Sequence, residues 1–213
     1  MIIDMKLLES NSEIISKILQ EFARQLNPIL GKAAVNATKK FKILVGQALR
    51  QQPEYSSLMT GELRLEFGIP DASSVESIID KLSETVSITN TNVIVKGSSL
   101  NGGFKLTALE KSTANGTIDD SDANVSDSKG YSLPWLKWLL YEGNNTIVKN
   151  YEVKIGPNSN SRTGMAIMVK SVGDWRVPPS FAGTINNNWI TRAIDSVANS
   201  VPKLLQQSLE ESL

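Results

Sequence analysis

The chain has 213 residues, with 22 basic against 22 acidic side chains, 40% apolar and 21% charged residues, and neither cysteine nor histidine. At about 100–200 residues per domain, that length allows one large domain or two small ones, with ample chain for a core. The two missing residue types remove Ser-His-Asp triads, imidazole bases, thiol nucleophiles, disulfides and zinc or iron–sulfur sites, and zero net charge argues against an electrostatic nucleic-acid binder. What remains is carboxylates, hydroxyls, lysines or an oxygen-ligated cation, a composition that favours a structural or binding role over an enzyme and implies no cofactor.

The first nine residues scatter charges among apolar ones and predict no signal peptide. No stretch approaches the roughly 20 apolar residues of a membrane span. The expectation is a protein made in a cytosol, or assembled into a particle there. Helix is predicted over the first 50 residues. Met5, Leu8, Ile14, Ile15, Ile18, Leu19, Phe22 and Leu26 form one apolar stripe. Pro28 is placed as the first residue of a second helix, where its missing N–H costs nothing. That helix carries Ile29, Ala33, Ala34, Ala37, Phe41, Leu44, Val45, Ala48 and Leu49, and ends before Pro53. Gly31 and its alanines would let another helix approach closely. The apolar face either packs on its own domain or waits for a neighbouring subunit.

From Gly61 the period changes. Residues 62–69 alternate polar and apolar and predict a half-buried strand stopped by Pro70. Asp71, Ser73 or Ser74 then caps a short helix through Val75, Ile78, Ile79 and Leu82. Residues 85–89 and 93–95 predict a hairpin around the loop Asn90-Thr91-Asn92, followed after Gly102-Gly103 by a strand over 104–109.

Residues 111–130 are polar and acidic, and predict a solvated loop that cannot fold by itself. Asp120, Asp122 and Asn124 have the alternate spacing of an EF-hand calcium loop, but Val125 stands where glycine is needed and Tyr131 where a bidentate glutamate is needed. No metal is therefore expected.

Ser132 caps a short helix over 133–141, the most hydrophobic segment, read as core or subunit-interface packing. Residues 148–155 and 165–169 predict strands joined by a turn over 156–161. Two consecutive prolines keep 175–184 extended or turning. Helix returns near Asn187, with Trp189, Ile190, Ala193, Ile194, Val197 and Val201 on one side. Pro202 kinks or restarts it for a tail with Leu204, Leu205 and Leu209.

The expected fold is α+β: long N-terminal helices and a C-terminal helix around a mainly antiparallel β-sheet with a short interposed helix. It is read as a single domain over 1–213, with a helical arm over 1–52, a core over 53–201 containing the acidic insert at 111–130, and a helical tail over 202–213. Catalytic motifs fail in turn: residues 97–103 are glycine-rich but lack the Lys-Ser/Thr of a phosphate loop, and no GxSxG elbow occurs. Glu62, Glu66, Asp80 and Glu142 are candidates for a glycosidase pair, which spacing alone cannot assemble. Arg64, Arg162, Arg176 and Arg192 are read as surface or interface residues.

Three segments resemble the tail-completion and head–tail joining proteins of long-tailed bacteriophages. Met59-Thr60-Gly61-Glu62-Leu63-Arg64 is similar to the Thr-Gly-x-Leu-Arg turn opening that family's first strand. Trp138-Leu139-Leu140-Tyr141-Glu142-Gly143 resembles its Tyr-x-Glu-x-Gly segment. Residues 177–184 running into Asn188-Trp189-Ile190-Thr191-Arg192-Ala193 are similar to its proline-aromatic turn before the final helix. The chain is longer than many members, and the insert at 111–130 is extra. The resemblance implies a virion structural protein of the neck, between head connector and tail, working as a homo-oligomeric ring of six or twelve copies. Its partners would be other neck, connector and tail proteins, with no sequence-specific nucleic acid and no membrane. Trp135, Trp138, Trp175, Phe181 and Trp189 are the expected packing anchors, between subunits or within one. The alternative is a virion decoration or host-recognition module whose acidic loop and Trp135/Trp138 contact a ligand.

Overall fold

The computed structural model describes residues 9–108, 116–126 and 130–213. Its longest element is α1, Asn11–Gln51, a single run of 41 residues. Ser10 and Glu13 start it as a capping box, with the Glu13 carboxylate accepting from the Ser10 N–H at 2.7 Å and the Ser10 hydroxyl accepting from the Glu13 N–H at 3.3 Å. The break expected at Pro28 does not occur, because the helix continues through it. Pro28 leaves the Arg24 carbonyl without its N–H partner, but both residues are exposed, so water can take its place. Met5 and Leu8 of the expected stripe lie outside the described residues, as do 109–115 and 127–129 of the expected last strand and acidic loop.

The mixed α+β class holds. The chain divides into two compact units, the first comprising residues 1–41, 87–107 and 201–213, the second 42–86 and 108–200. In the first unit, the part of α1 up to Phe41 carries the antiparallel hairpin β1 (Ser87–Lys96) and β2 (Ser99–Thr107), joined by α7 (Val201–Glu210). The hairpin turns at Gly97-Ser98, where Gly97 has φ 60°, and not at 90–92. Those asparagines lie inside β1, next to a bulge between Thr91 and Ile94. There Gly102 is required: a Cβ on it would lie 2.8 Å from Val93 Cα. Side chains of α1 take the place of a third strand along β1. Asn27 Oδ1 accepts from the Val93 N–H at 2.7 Å and its Nδ2 donates to the Val93 carbonyl at 3.2 Å, while Thr38 Oγ1 accepts from the Ile88 N–H at 2.9 Å.

The second unit contains α2 (Pro53–Thr60), α3 (Glu62–Phe67), α4 (Ser73–Glu84), a 3-10 turn (Ser121–Ala123), β3 (Val125–Ser126), β4 (Ser132–Leu133), α5 (Trp135–Leu140), β5 (Tyr151–Ile155), β6 (Ala166–Lys170) and α6 (Trp189–Ala198). Its interior is made of fully buried Leu49, Leu58, Leu63, Phe67, Ile69, Ile78, Ile79, Trp135, Leu136, Leu139 and Trp189.

Two expectations change here. The predicted strand at 62–69 is α3. Leu63 and Phe67, four residues apart, share the buried face of one helical turn. Gly68 at φ 66° then ends the turn in a Schellman motif, with its N–H bonded to the Leu65 carbonyl at 3.2 Å and the Ile69 N–H to the Arg64 carbonyl at 3.0 Å. Among the described residues, the predicted single sheet is three separate two-stranded antiparallel ladders, β1–β2, β3–β4 and β5–β6. Helical packing fills the interior that a continuous sheet would have covered. Among the described residues, no helix is long and apolar enough to cross a membrane.

Candidate functional site

The expected anchors fall into two groups. Trp135 and Trp189 are fully buried and Trp175 is nearly so, at 6% exposure, whereas Trp138 and Phe181 are half-buried. Phe67 sits between two of them, its ring centroid 6.4 Å from Trp135 and 6.4 Å edge-on from Trp175. Each buried indole N–H has its own acceptor. Trp135 donates to the Asp122 carbonyl at 2.9 Å, Trp189 to the Leu49 carbonyl at 2.9 Å, and Trp175 to the Glu66 carboxylate. Trp135 and Trp189 have no exposed surface and Trp175 almost none, so these three hold this unit's own interior together. Trp138 and Phe181 keep part of their surface exposed.

The second and third segments of the resemblance meet in space. Gly183 donates to the Leu139 carbonyl at 3.1 Å, and a Cβ on it would lie 2.3 Å from that oxygen. A Cβ on Gly143 would lie 2.7 Å from Ala182 Cα. Two glycines therefore let residues 138–143 and 177–184 touch backbone to backbone. Beyond that contact, Asn188 opens α6 with a capping box: its Oδ1 accepts from the Ile190 and Thr191 N–H groups at 3.0 and 3.1 Å, and Thr191 Oγ1 accepts from the Asn188 N–H at 2.8 Å. The first segment departs from the family pattern, since residues 59–64 lead from α2 into α3 and not into a strand.

No family model, curated protein or solved structure matches this chain. What the segments can do is therefore read from their own contacts.

The acidic stretch is folded over its described part. Ile118, Ala123 and Val125 are buried, and Lys81 of α4 lies 2.8 Å from Asp120 and 2.9 Å from Asp122. Ser77 adds a hydrogen bond to Asp122 at 2.6 Å, and Asn124 Nδ2 donates to the Asp120 carbonyl at 2.7 Å. The calcium-like spacing thus meets an ammonium of the chain's own. The hydrogen bond from Lys81 holds the Asp120 carboxyl below the ordinary range; Ser77, then Lys81, do the same for Asp122, and the two carboxylates raise Lys81 in return. Among the described residues, no three acidic groups are placed to hold a metal ion.

The candidate glycosidase carboxylates are engaged separately. Asp80 pairs with Arg50 at 3.0 Å and Glu142 with Lys137 at 2.9 Å, while Glu62 is exposed. Glu66, bound to the Trp175 indole, has its carboxyl pushed up by burial, with the charge of Glu62 adding to the rise. The arginines differ too. Arg64 holds the Met59, Ile69 and Pro70 carbonyls at 2.9, 3.2 and 2.8 Å, and Arg162 and Arg176 are exposed.

Arg192 does something the sequence does not announce. It pairs with Glu54 of α2, a carboxylate with 0% exposure whose Oε2 meets no hydrogen-bond partner among the described residues. A second unannounced cluster gathers Arg50, Tyr55 and Glu76: Arg50 donates to Glu76 at 2.6 and 3.0 Å, and the Tyr55 hydroxyl donates to its other oxygen. Burial works to raise Glu76, but these hydrogen bonds outweigh it and leave the carboxyl lowered. The only hint in the sequence is the arginine near the end of α1.

Proposed function

We propose that the chain is a structural subunit of a bacteriophage neck, one copy in a ring joining the head connector to the tail, and therefore a virion component. The observation that carries this reading is the uncovered face of α1. Ile15, Ile18 and Phe22 recur at three- and four-residue spacing and are 48%, 50% and 51% exposed. An apolar stripe on a helix is ordinarily covered, and a neighbouring subunit would cover this one. Support also comes from the glycine contact between residues 138–143 and 177–184, because both stretches belong to the resemblance. The departure of residues 59–64 from a strand bears against one of its three segments.

In this reading the work is assembly, and the polar clusters of the second unit are structural: each carboxylate or guanidinium with catalytic potential either holds a neighbour or stands exposed. The experiment is genetic. Deleting the gene from the phage that encodes it should leave filled heads and finished tails unjoined, and expression in trans should restore joining. The Ile18→Asp/Phe22→Asp variant should fail to restore it. Normal tailed particles from the deletion would end the reading.

A further inference from the structure

Among the described residues, β5 is hydrogen-bonded on one edge only, to β6. The Asn150 carbonyl accepts from Ser171 at 2.9 Å and the Gly156 N–H donates to Met165 at 2.7 Å. With the register Tyr151↔Lys170 to Ile155↔Ala166, this fixes the parity: residues 150, 152, 154 and 156 turn their N–H and C=O groups toward β6. Tyr151, Val153 and Ile155 turn theirs outward, and nothing pairs with them among the described residues. A two-stranded ribbon with one long open edge is marginal by itself and a template for another strand.

The sequence of that edge says which strand. It reads Tyr-Glu-Val-Lys-Ile over 151–155, and reversed about Val153 it is complementary to itself. We propose that the free edge of β5 binds a second copy of this chain, β5 against β5, antiparallel, with a two-fold axis at Val153. In that register Glu152 faces the second copy's Lys154, and Tyr151 faces its Ile155. Opposite charges and aromatic–β-branched pairs are favourable cross-strand neighbours. Parity agrees, because the outward-turned residues 151, 153 and 155 then meet one another as hydrogen-bonded pairs. Sliding by two residues either way keeps the parity but sets Glu152 against Glu152 or Lys154 against Lys154. Charge therefore selects one register.

Within one copy Glu152 lies 3.9 Å from Lys154 and accepts from the Ser171 hydroxyl at 3.0 Å, but the two side chains remain 50% and 67% exposed, so both can still turn to a second copy. Pairing would also set Tyr151 of the second copy beside Ile155, which is now 57% exposed, and continue the face of Tyr151, Val153 and Ile155 across the two copies. The contact is isologous and closes after two copies. It is thus distinct from a ring contact and does not rest on the neck reading.

The chain has no cysteine, so Val153→Cys introduces a single thiol. Opposed hydrogen-bonded residues place their Cα atoms about 5.5 Å apart, within disulfide reach. Oxidised in dilute solution, Val153→Cys should link into a covalent dimer several-fold faster than Val172→Cys, whose site is fully exposed. Sedimentation of the native chain should show a dimer, weakened about tenfold in Glu152→Lys, where two attractive pairs become repulsive. The swap Glu152→Lys/Lys154→Glu should restore it. Linking at the Val172→Cys rate, a native chain that stays monomeric at high concentration, or a swap without rescue would each overturn the proposal. A ring whose Val153→Cys thiols stay unlinked would overturn this contact and leave the neck reading standing.

Discussion

The two compact units fill their interiors with different side chains. Residues 42–86 and 108–200 contain all four tryptophans, and three of these are buried with their indole N–H groups bonded. The other unit has none. Its interior is Ala23, Ala33, Ala34, Ala37, Phe41, Ile88, Val93 and Leu204, while Ile15, Ile18, Phe22, Val35, Ile94 and Leu106 remain 40–56% exposed. Burying a large apolar side chain contributes about 1.5–3 kcal/mol, and an alanine methyl far less. The tryptophan-rich unit is therefore the better filled of the two, although it too leaves Ile43, Ile155, Val172 and Ile185 57–103% exposed; in the alanine-lined unit Ile15, Ile18 and Phe22 form one uncovered stripe on α1.

The largest test of the tryptophan-filled unit is Arg192→Ala. It leaves the Glu54 carboxylate, with 0% exposure, alone in the interior. Breaking a buried pair on one side costs about 3–5 kcal/mol. Urea unfolding should show a loss of that order, and Glu54→Leu/Arg192→Met should recover most of it. A loss below about 1 kcal/mol would mean that the interior admits water beside Glu54.

A paired glycine experiment separates the units more sharply. Gly183→Ala forces a methyl to within 2.3 Å of the Leu139 carbonyl and 2.8 Å of Asn188 Cβ. The backbone must move, at a cost of about 3 kcal/mol. Gly31→Ala on α1 meets nothing within 4 Å, and replaces a flexible residue inside a helix. It should gain about 0.5–1 kcal/mol. The same substitution thus has opposite signs, which thermal unfolding of the two variants reads directly.

How much of this was legible depended on distance along the chain. Local signals held where several agreed. The apolar side of α6 stands in its residues; α4 starts at Ser73 as expected, although Ala72 and not Asp71, Ser73 or Ser74 is its N-cap; β5 lies within the predicted strand, three residues shorter at its start, and β6 is the predicted strand moved on by one residue. Short segments with two valid periods were not legible. Leu63, Leu65, Phe67 and Ile69 alternate as in a strand, yet Leu63 and Phe67 fit a helix equally, and Gly68 in its left-handed conformation decides for the helix. The hairpin was misplaced because Asn90-Thr91-Asn92 and Gly97-Ser98 both have turn chemistry, and only Asn27, 66 residues away from Val93, shows that the first belongs to a strand. Long-range pairs left no trace: Glu54 and Arg192 are 138 residues apart. The spacing of Asp120 and Asp122 was visible, but not the lysine that answers it.

That lysine gives a pH signature. Asp120 and Asp122 are lowered in the folded state, so their contribution is present above the ordinary carboxylate range and lost as pH falls through their lowered values. Lys81→Met should flatten the acid side of the stability profile. Glu66 behaves oppositely. Its raised carboxyl contributes below the ordinary glutamate value and loses that contribution as pH rises through the raised one. Glu66→Gln, which keeps an oxygen for the Trp175 indole, should therefore be more stable than the native chain at neutral pH and equal to it in acid. Parallel profiles for all three proteins would contradict both assignments.

The smallest effect on stability should come from the exposed face of α1. Ile15→Gln/Ile18→Gln/Phe22→Gln removes three side chains that are already about half in water, and replaces them with a residue that forms helix well. Unfolding of the isolated chain should shift by no more than about 1 kcal/mol, against about 3–5 for a buried aromatic truncated to alanine. Assembly should respond in the reverse order, because area covered by a partner counts only in the complex. If the triple variant instead unfolds as easily as Gly183→Ala, the stripe is already part of the chain's own packing. The contrast between a tryptophan-filled unit and one with an uncovered stripe would then be lost.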